Sequence, residues 1–495
     1  MNLYSLFLKN FNPSKKLIFN SEEISFNSFR DNVEIIYKNL INFKNLNKIA
    51  ILSNNPKLLS QILLASAKLG KVIVTLNSSL AIKQINLQLK IIRPDILILD
   101  NDLDSFEIKY CKKFVYEKDL YLNNNKINLT KFINKNFLFK DYIITLSSGT
   151  TSIPKPILYS QKTKYLRFLQ MKETYRLKKS DNIFSVSPID HSLGQRLLFL
   201  ALLNGSNFIY INKYDFNIIK KYSTKYNLSF TCLPPNYLRL LKKSLINKKI
   251  KIKKIVSAAS TLTNNDKKTF IKKGINLYEM YGAAEIGTVT NIEFKKNLNL
   301  VKSVGKPLKN IDIKIINEKN KFLKNGLIGE IVCKTPLRFK HYYNNKLLTK
   351  KSFIKNYFKT GDIGMLDNKK NLYFLSRKQD VIISGGKNIY PIDIENELLK
   401  LNYIKDAAVI GINDKFFGEI VYAVCVLSKF TNNVENKIKK HLAKSISKFQ
   451  IPLGFSFTRN LPKNNLGKVQ KFKLREKFNS KKFDFSNRLR KILNK

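Results

Sequence analysis

Apolar and polar positions follow two different periods along this chain, and the change from one to the other divides it. In "KIAILSNNPKLLSQILLASAKLGKVIVTLN", residues 48–77, a short apolar run leads to Pro56. Leu58, Leu59, Ile62, Leu63 and Ala67 then follow at helical spacing, before Gly70 and a second apolar run. Apolar residues three and four apart mark one face of a helix, and the proline and glycine mark its ends. The stretch predicts a βαβ unit. The same punctuation recurs at "FSVSP" (184–188), "NFIYI" (207–211), "LSFTCLPP" (228–235) and "KKIVSAAS" (253–260). Apolar strands that end in small or polar residues and alternate with helices predict parallel sheet in an α/β domain. In such domains ligands sit at the carboxyl ends of the strands.

From about residue 302 the pattern changes. "KSVGKPLKNIDIKIINEKNKFLKNGLIGEIVCKT" alternates with period two and carries Gly and Asn turns, which predicts an antiparallel β subdomain. After Phe374, "SRKQDVIISGGKNIYPIDIENELLK" runs from a polar link through a strand and a double-glycine turn into a helix starting near Pro391. The expected fold is α/β. A large N-terminal domain, residues 1–376, would hold mixed or parallel sheets and the β subdomain. A small mobile α+β domain, residues 377–495, would follow a link at 376–380.

Length and composition agree with this division and remove several function classes. At 495 residues with 44% apolar content, the chain can bury more than one core. Its formal charge of +55 raises nucleic acid or an anionic membrane as a partner. The lysines, however, stand singly or in pairs among apolar residues throughout, Trp is absent and Gly is scarce, as a strongly AT-biased genome would impose. Only residues 468–495 are locally dense. No zinc-finger spacing, RNP-type motif or basic zipper accompanies the charge, so no nucleic-acid partner is expected. Cys111, Cys232, Cys333 and Cys425 lie far apart and form neither a zinc motif nor a disulfide framework, which fits a reducing cytosol. The N-terminus has too short an apolar core for a signal peptide, and no apolar run approaches the about 18 residues that span a bilayer. A cytoplasmic protein without an integral membrane segment is expected. The three histidines, His191, His341 and His441, are not spaced as a ligand pair, which leaves a metal hydrolase or a catalytic triad without support.

The candidate chemistry begins at "LSSGTTSIPK", residues 146–155. Hydroxyls and a glycine after a strand can present N–H and O–H groups to phosphate oxygens. A Walker loop is excluded, because it needs a second glycine before its lysine and a helix opening there. Here Pro154 stiffens the chain and Pro156 has no N–H to offer. On its own the stretch reads equally as a phosphate loop or a polar surface turn.

Four more blocks follow in order: "YEMYGAAEIGTVT" (278–290), "YFKTGD" (357–362), "SRKQDVIISGGKNIYPIDIE" (376–395) and "LPKNNLGKVQKFKLR" (461–475). Together the five resemble the adenylate-forming superfamily of acyl-CoA synthetases, adenylation domains and luciferases, over nearly the whole chain from residue 50 to Arg475. The resemblance implies attack of a carboxylate on the α-phosphate of ATP, giving an acyl-adenylate and pyrophosphate, and then displacement of AMP by a thiol. An anion attacking a polyanion needs cations and N–H donors aimed at the phosphates.

By the same resemblance, Ser147, Ser148, Gly149, Thr150 and Thr151 would hold the terminal phosphates and Lys155 the leaving pyrophosphate. Glu285, with Thr150, would hold Mg²⁺, a hard cation that suits oxygen ligands. Tyr281, Gly282, Ala283 and Ala284 would flank the nucleotide, with Ala259 and Ser260 beside the adenine. Asp362 would accept both ribose hydroxyls, and Arg377 would contact the same ribose. Lys468 would bridge the substrate carboxylate and the α-phosphate. Ser384, Gly385 and Gly386 would line the route of coenzyme A once the small domain rotates about its link. His191 would lie near the substrate carboxylate.

Four positions depart from the family pattern: Ser152 and Ser376 where glycine is common, Ala284 where a hydroxyl is common, and Gln379 at the hinge. They bear on efficiency more than on class. The expected activity is AMP-forming ligation of a fatty or other acyl acid to coenzyme A. Two readings stay beside it. One is transfer of an acyl or amino acid to a carrier-protein phosphopantetheine, for which Asp190 could hold an α-amine. The other is a non-catalytic basic binding protein on the same fold.

Overall fold

The computed structural model describes residues 1–101, 107–122, 136–147, 155–212, 215–428, 433–464 and 467–480. The expected βαβ unit is present as strand Lys48–Leu52, helix Pro56–Leu69 and strand Val72–Leu76, with the two strands paired parallel. Pro56 stands in the first turn, where its missing N–H costs nothing, and the Asn55 side chain accepts from the N–H groups of Lys57 and Leu58. The helix ends at Gly70 in the left-handed conformation.

Among the described residues the strands form four sheets. A seven-stranded sheet is built around the βαβ unit, and a nine-stranded sheet around strands Asn182–Ser185, Phe230–Leu233, Lys254–Ser257 and Leu277–Ala283, which pair parallel in that order. Both sheets are mixed. The seven-stranded one turns antiparallel where Asp141–Ser147 meets Lys155–Ser160, and the nine-stranded one where Leu277–Ala283 meets Gly287–Glu293. Helices Pro56–Leu69 and Ser192–Asn204 are buried on nearly every side. Their side chains share one core with Ile49, Ile73 and Ile143 from one sheet and Ile183, Phe208 and Val256 from the other. A helix apolar all round is one with a covered position on every face.

The expected β subdomain is the antiparallel sheet of Asp312–Ile316, Gly329–Lys334, Tyr357–Leu366 and Leu372–Arg377. The small domain has its own sheet, with Ile404–Asp414 and Gly418–Leu427 at its centre, and its own core. Strand Leu372–Arg377 carries the chain to a short turn, Lys378–Asp380, that leads into the small domain. Arg377 therefore stands in the large domain's sheet, opposite Asp362.

Candidate active site

The antiparallel switches at the sheet ends create the site. Strands Leu277–Ala283 and Gly287–Glu293 form a hairpin whose turn is Ala284, Glu285 and Ile286. The register shifts between Tyr281 and Gly282, and a Cβ on Gly282 would lie 2.0 Å from the Gly287 carbonyl oxygen. Only glycine allows that approach. The turn is held from three directions. Tyr159 Oη and Arg167 Nη2 each donate to the Ala284 carbonyl at 2.8 Å, and the Phe339 N–H donates to the Glu285 carbonyl at 2.6 Å. Tyr342 Oη donates to Glu285 Oε1 at 2.9 Å, and burial raises its pKa so that it remains a donor. The other carboxylate oxygen of Glu285 has no protein partner among the described residues. That arrangement fits a hard cation with few protein ligands, such as Mg²⁺ shared with phosphates. Among the described residues no cluster of three His, Cys, Asp or Glu side chains could hold a metal by itself.

Asp362 is buried on strand Tyr357–Leu366. Tyr281 Oη donates to its Oδ2 at 2.6 Å, and Arg377 Nη1 lies 3.0 Å from its Oδ1. Burial raises the Asp362 pKa, against the opposing pull of Arg377, Tyr281 and Lys468. Tyr281 itself is pushed up by burial and by that carboxylate, so it stays protonated.

Lys468 reaches this group from the small domain. Its turn rests on the large domain at Gly467, where φ is +75° and a Cβ would fall 2.2 Å from the Asn236 side chain. The turn is braced by the Lys468 N–H on Asn464 Oδ1 at 2.9 Å and by a bridge between Lys463 and Val469. Arg475 pairs with Asp380 at 2.9 Å, which ties helix Lys471–Asn479 to the interdomain link. Burial, and then Arg377, lower the Lys468 pKa to about 8, while Asp362 and Asp380 oppose the shift.

The hydroxyl-rich loop connects two strands that pair antiparallel, with Ser147 and Lys155 as Cα partners, so its ends are held together. Ser148, Gly149, Thr150, Thr151 and Ser152 lie outside the described residues, as does the Ser147 side chain. Lys155 Nζ is 6.0 Å from the ring centre of Tyr342, the tyrosine that holds Glu285. This places the lysine and the carboxylate at one end of the site. Ala259, at the carboxyl end of strand Lys254–Ser257, is exposed with φ +71°, a strained value for a residue with a Cβ, and Ser260 follows it.

A lysine from the small domain near a buried Asp and its Arg partner is the arrangement the resemblance implies. The profile of the AMP-binding enzyme family matches residues 10–343, and that of the AMP-binding enzyme C-terminal domain matches residues 393–468. The chain belongs to the AMP-binding enzyme family. A 2-succinylbenzoate–CoA ligase of Bacillus cereus (strain Q1) is 26% identical over 462 residues, covering 92% of this chain and 94% of its own. ATP-bound MatB from Rhodopseudomonas palustris superimposes with a TM-score of 0.87 at 23% identity, over 97% of this chain and 99% of that one. The o-succinylbenzoate CoA synthetase MenE of Bacillus subtilis, solved with ATP and magnesium ion, gives 0.84 at 22%, over 95% and 98%. These two structures share the fold of this AMP-binding enzyme.

Within the family framework the structure brings together Tyr281, Gly282, Ala283, Ala284, Glu285, Asp362, Arg377 and Lys468. His191 caps helix Ser192–Asn204, with its Nε2 at 3.8 Å from Asp190, beyond hydrogen-bond distance. Partial burial raises the pKa of Asp190, against the opposing pull of His191. The turn of Ser384, Gly385 and Gly386 is not brought to the cluster. It is solvent-facing, with Gly385 donating to the Phe417 carbonyl and Ser384 paired with Gly418, both in the small domain. The fatty-acid expectation gains no support, since the relatives' named acid is a benzoate, and nothing in the comparisons favours a carrier protein as acceptor. No described helix is long and apolar enough to cross a membrane. Sequence reasoning missed Tyr159, Arg167, Asn236 and Tyr342. Each acts through a contact between distant segments, such as the 57 positions separating Tyr342 from Glu285, and no spacing signals that.

Proposed function

We propose that this enzyme activates a carboxylic acid with ATP to an acyl-adenylate and transfers the acyl group to coenzyme A, in the cytoplasm. The observation that carries the reading is the Lys468 turn seated on Asn236, with its ammonium near Asp362 and Arg377. An ammonium there can neutralise the carboxylate and the α-phosphate as they approach, and burial strengthens that effect. Asp362 takes the ribose hydroxyls and Arg377 orients it, while Lys155, with Ser147, Ser148, Gly149, Thr150 and Thr151, would meet the leaving pyrophosphate. Glu285, with Thr150, would hold Mg²⁺, which would supply charge neutralisation at the phosphates. Ala259 and Ser260 flank the adenine.

The units that move are the large domain, residues 1–376, and the small domain, residues 377–495, with Arg377 at the link staying paired with Asp362 in the large domain's sheet. Rotation about 376–380 withdraws Lys468 and carries Ser384, Gly385 and Gly386 toward the site, so that one cleft serves both half-reactions. The acid belongs to the aromatic class named for the curated relatives, and His191 lies on its path. The test is ATP–pyrophosphate exchange over a panel of fatty, aromatic and amino acids, followed by thioester detection with coenzyme A. Exchange and thioester with an aromatic acid are expected. The absence of exchange with every acid, together with salt-sensitive RNA binding, would replace this reading with that of a binding protein.

A further inference from the structure

Asn236 is the large-domain residue that meets the Lys468 turn. It is the second residue of helix Pro235–Ile246, which starts just beyond the carboxyl end of strand Phe230–Leu233. That start is held in place: Pro235, Leu238 and Leu241 are buried, and the Leu238 N–H donates to the Pro234 carbonyl at 3.2 Å. Asn236 Oδ1 is itself buried and has no hydrogen-bond partner among the described residues. A buried acceptor left unpaired adds no stability. The side chain therefore acts through the space it fills.

Opposite it lies Gly467 of the small domain. A Cβ on Gly467 would stand 2.2 Å from Asn236 Nδ2, 2.4 Å from its Cγ and 2.8 Å from its Oδ1, so it would fall on the whole carboxamide. Carbon atoms in contact settle at about 3.5–4 Å. The Gly467 backbone thus rests on the carboxamide with no room for a side chain. The turn behind it is stiff. The Gly467 N–H donates to the Asn464 carbonyl at 2.8 Å, the Asn464 N–H to the Lys468 carbonyl at 2.9 Å, and the Lys468 N–H to Asn464 Oδ1 at 2.9 Å. Lys463 and Val469 pair across the base of the turn. A displacement at Gly467 is passed directly to Lys468, the next residue.

We infer that Asn236 is a positioning residue for the first half-reaction: its carboxamide is the stop against which Gly467 seats, and that stop sets how far the Lys468 ammonium enters the site. This rests on the proposed ligase reading and deepens it. The seat holds by fit and not by hydrogen bonds, which suits a contact that opens in every turnover. When the small domain rotates and Lys468 withdraws, Gly467 leaves Asn236, and the freed oxygen is paired by water. The thioester-forming step then depends on neither residue.

The two half-reactions, measured separately on the full chain, test this: ATP–pyrophosphate exchange with the acid that supports it best, and thioester formation from supplied acyl-adenylate. Gly467→Ala should lower exchange by about 10- to 100-fold, the loss that a displacement of about 1 Å produces in a reacting group, and should keep thioester formation within a few-fold. Asn236→Ala, which removes the stop, should cost exchange less than about tenfold. In the double variant the new methyl takes the room the carboxamide vacates, so exchange should recover well above that of Gly467→Ala alone, although the left-handed backbone strain remains. Asn236→Gln extends the stop by one methylene and should be worse than Asn236→Ala. If Gly467→Ala fails to fold, that pair carries the comparison. Additive losses in the double variant, or equal losses in both half-reactions, would overturn the inference and leave the ligase reading standing. So would a changed acid preference in the Asn236 variants, which would place this side chain on the substrate instead. No exchange by the wild type with any acid would overturn both.

Discussion

Two groups of buried charge flank the 284–286 turn, and they are built in opposite ways. On one side Asp362, Arg377, Lys468 and Asp380 alternate in sign, and burial of each ion is offset by a neighbour of the other sign. On the other side Lys164, Arg167 and Arg196 repel one another, and their offsets are dipoles: an amide oxygen, two carbonyls and a hydroxyl. The first group can close over the cleft before any ligand arrives, because its charges cancel internally. The second has no carboxylate within ion-pair distance among the described residues, and Glu285 acts on Arg167 only from farther away. Compensated charge thus stands where the two domains meet, and cations held by dipoles stand behind the hairpin turn that carries Glu285.

The comparison can be broken most sharply by stability measurements on a matched pair. Lys267 and Glu279 form a buried ion pair beside the same hairpin strand, and Lys267 also donates to the Val301 carbonyl at 3.0 Å. Lys267→Met leaves Glu279 buried and uncompensated and should cost about 3–5 kcal/mol in urea unfolding. Arg196→Met removes a cation that has no carboxylate and should cost less than about 1 kcal/mol. Equal costs would erase the distinction. A smaller effect is expected at the ribose. Asp362→Asn should raise the KM for ATP by about 10- to 100-fold, because a charged acceptor is lost.

The pH dependence sharpens the account of Lys468. Its pKa is lowered to about 8, so the ammonium is present at pH 7 and is lost as pH rises through about 8. Adenylation should therefore show an alkaline limb near pH 8, falling about tenfold per unit beyond it. Lys468→Arg should move that limb out of range, since a guanidinium keeps its proton. The smallest effect is at Ala259. Ala259→Gly relieves a left-handed alanine and should leave stability unchanged or raise it by about 0.5 kcal/mol in thermal unfolding.

Much of this was legible in the sequence, for physical reasons that also set its limits. The βαβ unit of residues 48–77 was readable because Pro56, Gly70 and the helical stripe are local signals, and the structure places the helix between them. Asp362, Arg377 and Lys468 were readable because motif order survives drift in composition. The mixed character of the two large sheets was only partly visible, since the antiparallel switches at 147–155 and 283–287 are not marked by turn dipeptides such as Asn-Gly. The second charge group was invisible. Lys164, Arg167 and Arg196 are three among 90 lysines and arginines, and only burial between two helices separates them from the rest.

The most direct test of the central claim is ATP–pyrophosphate exchange by the wild type and by Lys468→Ala, with the acid that supports exchange best. The account predicts acid-dependent exchange in the wild type and about a 1,000-fold loss in the variant, with thioester formation from supplied acyl-adenylate kept within a few-fold. Exchange in Lys468→Ala within a few-fold of the wild type would contradict it.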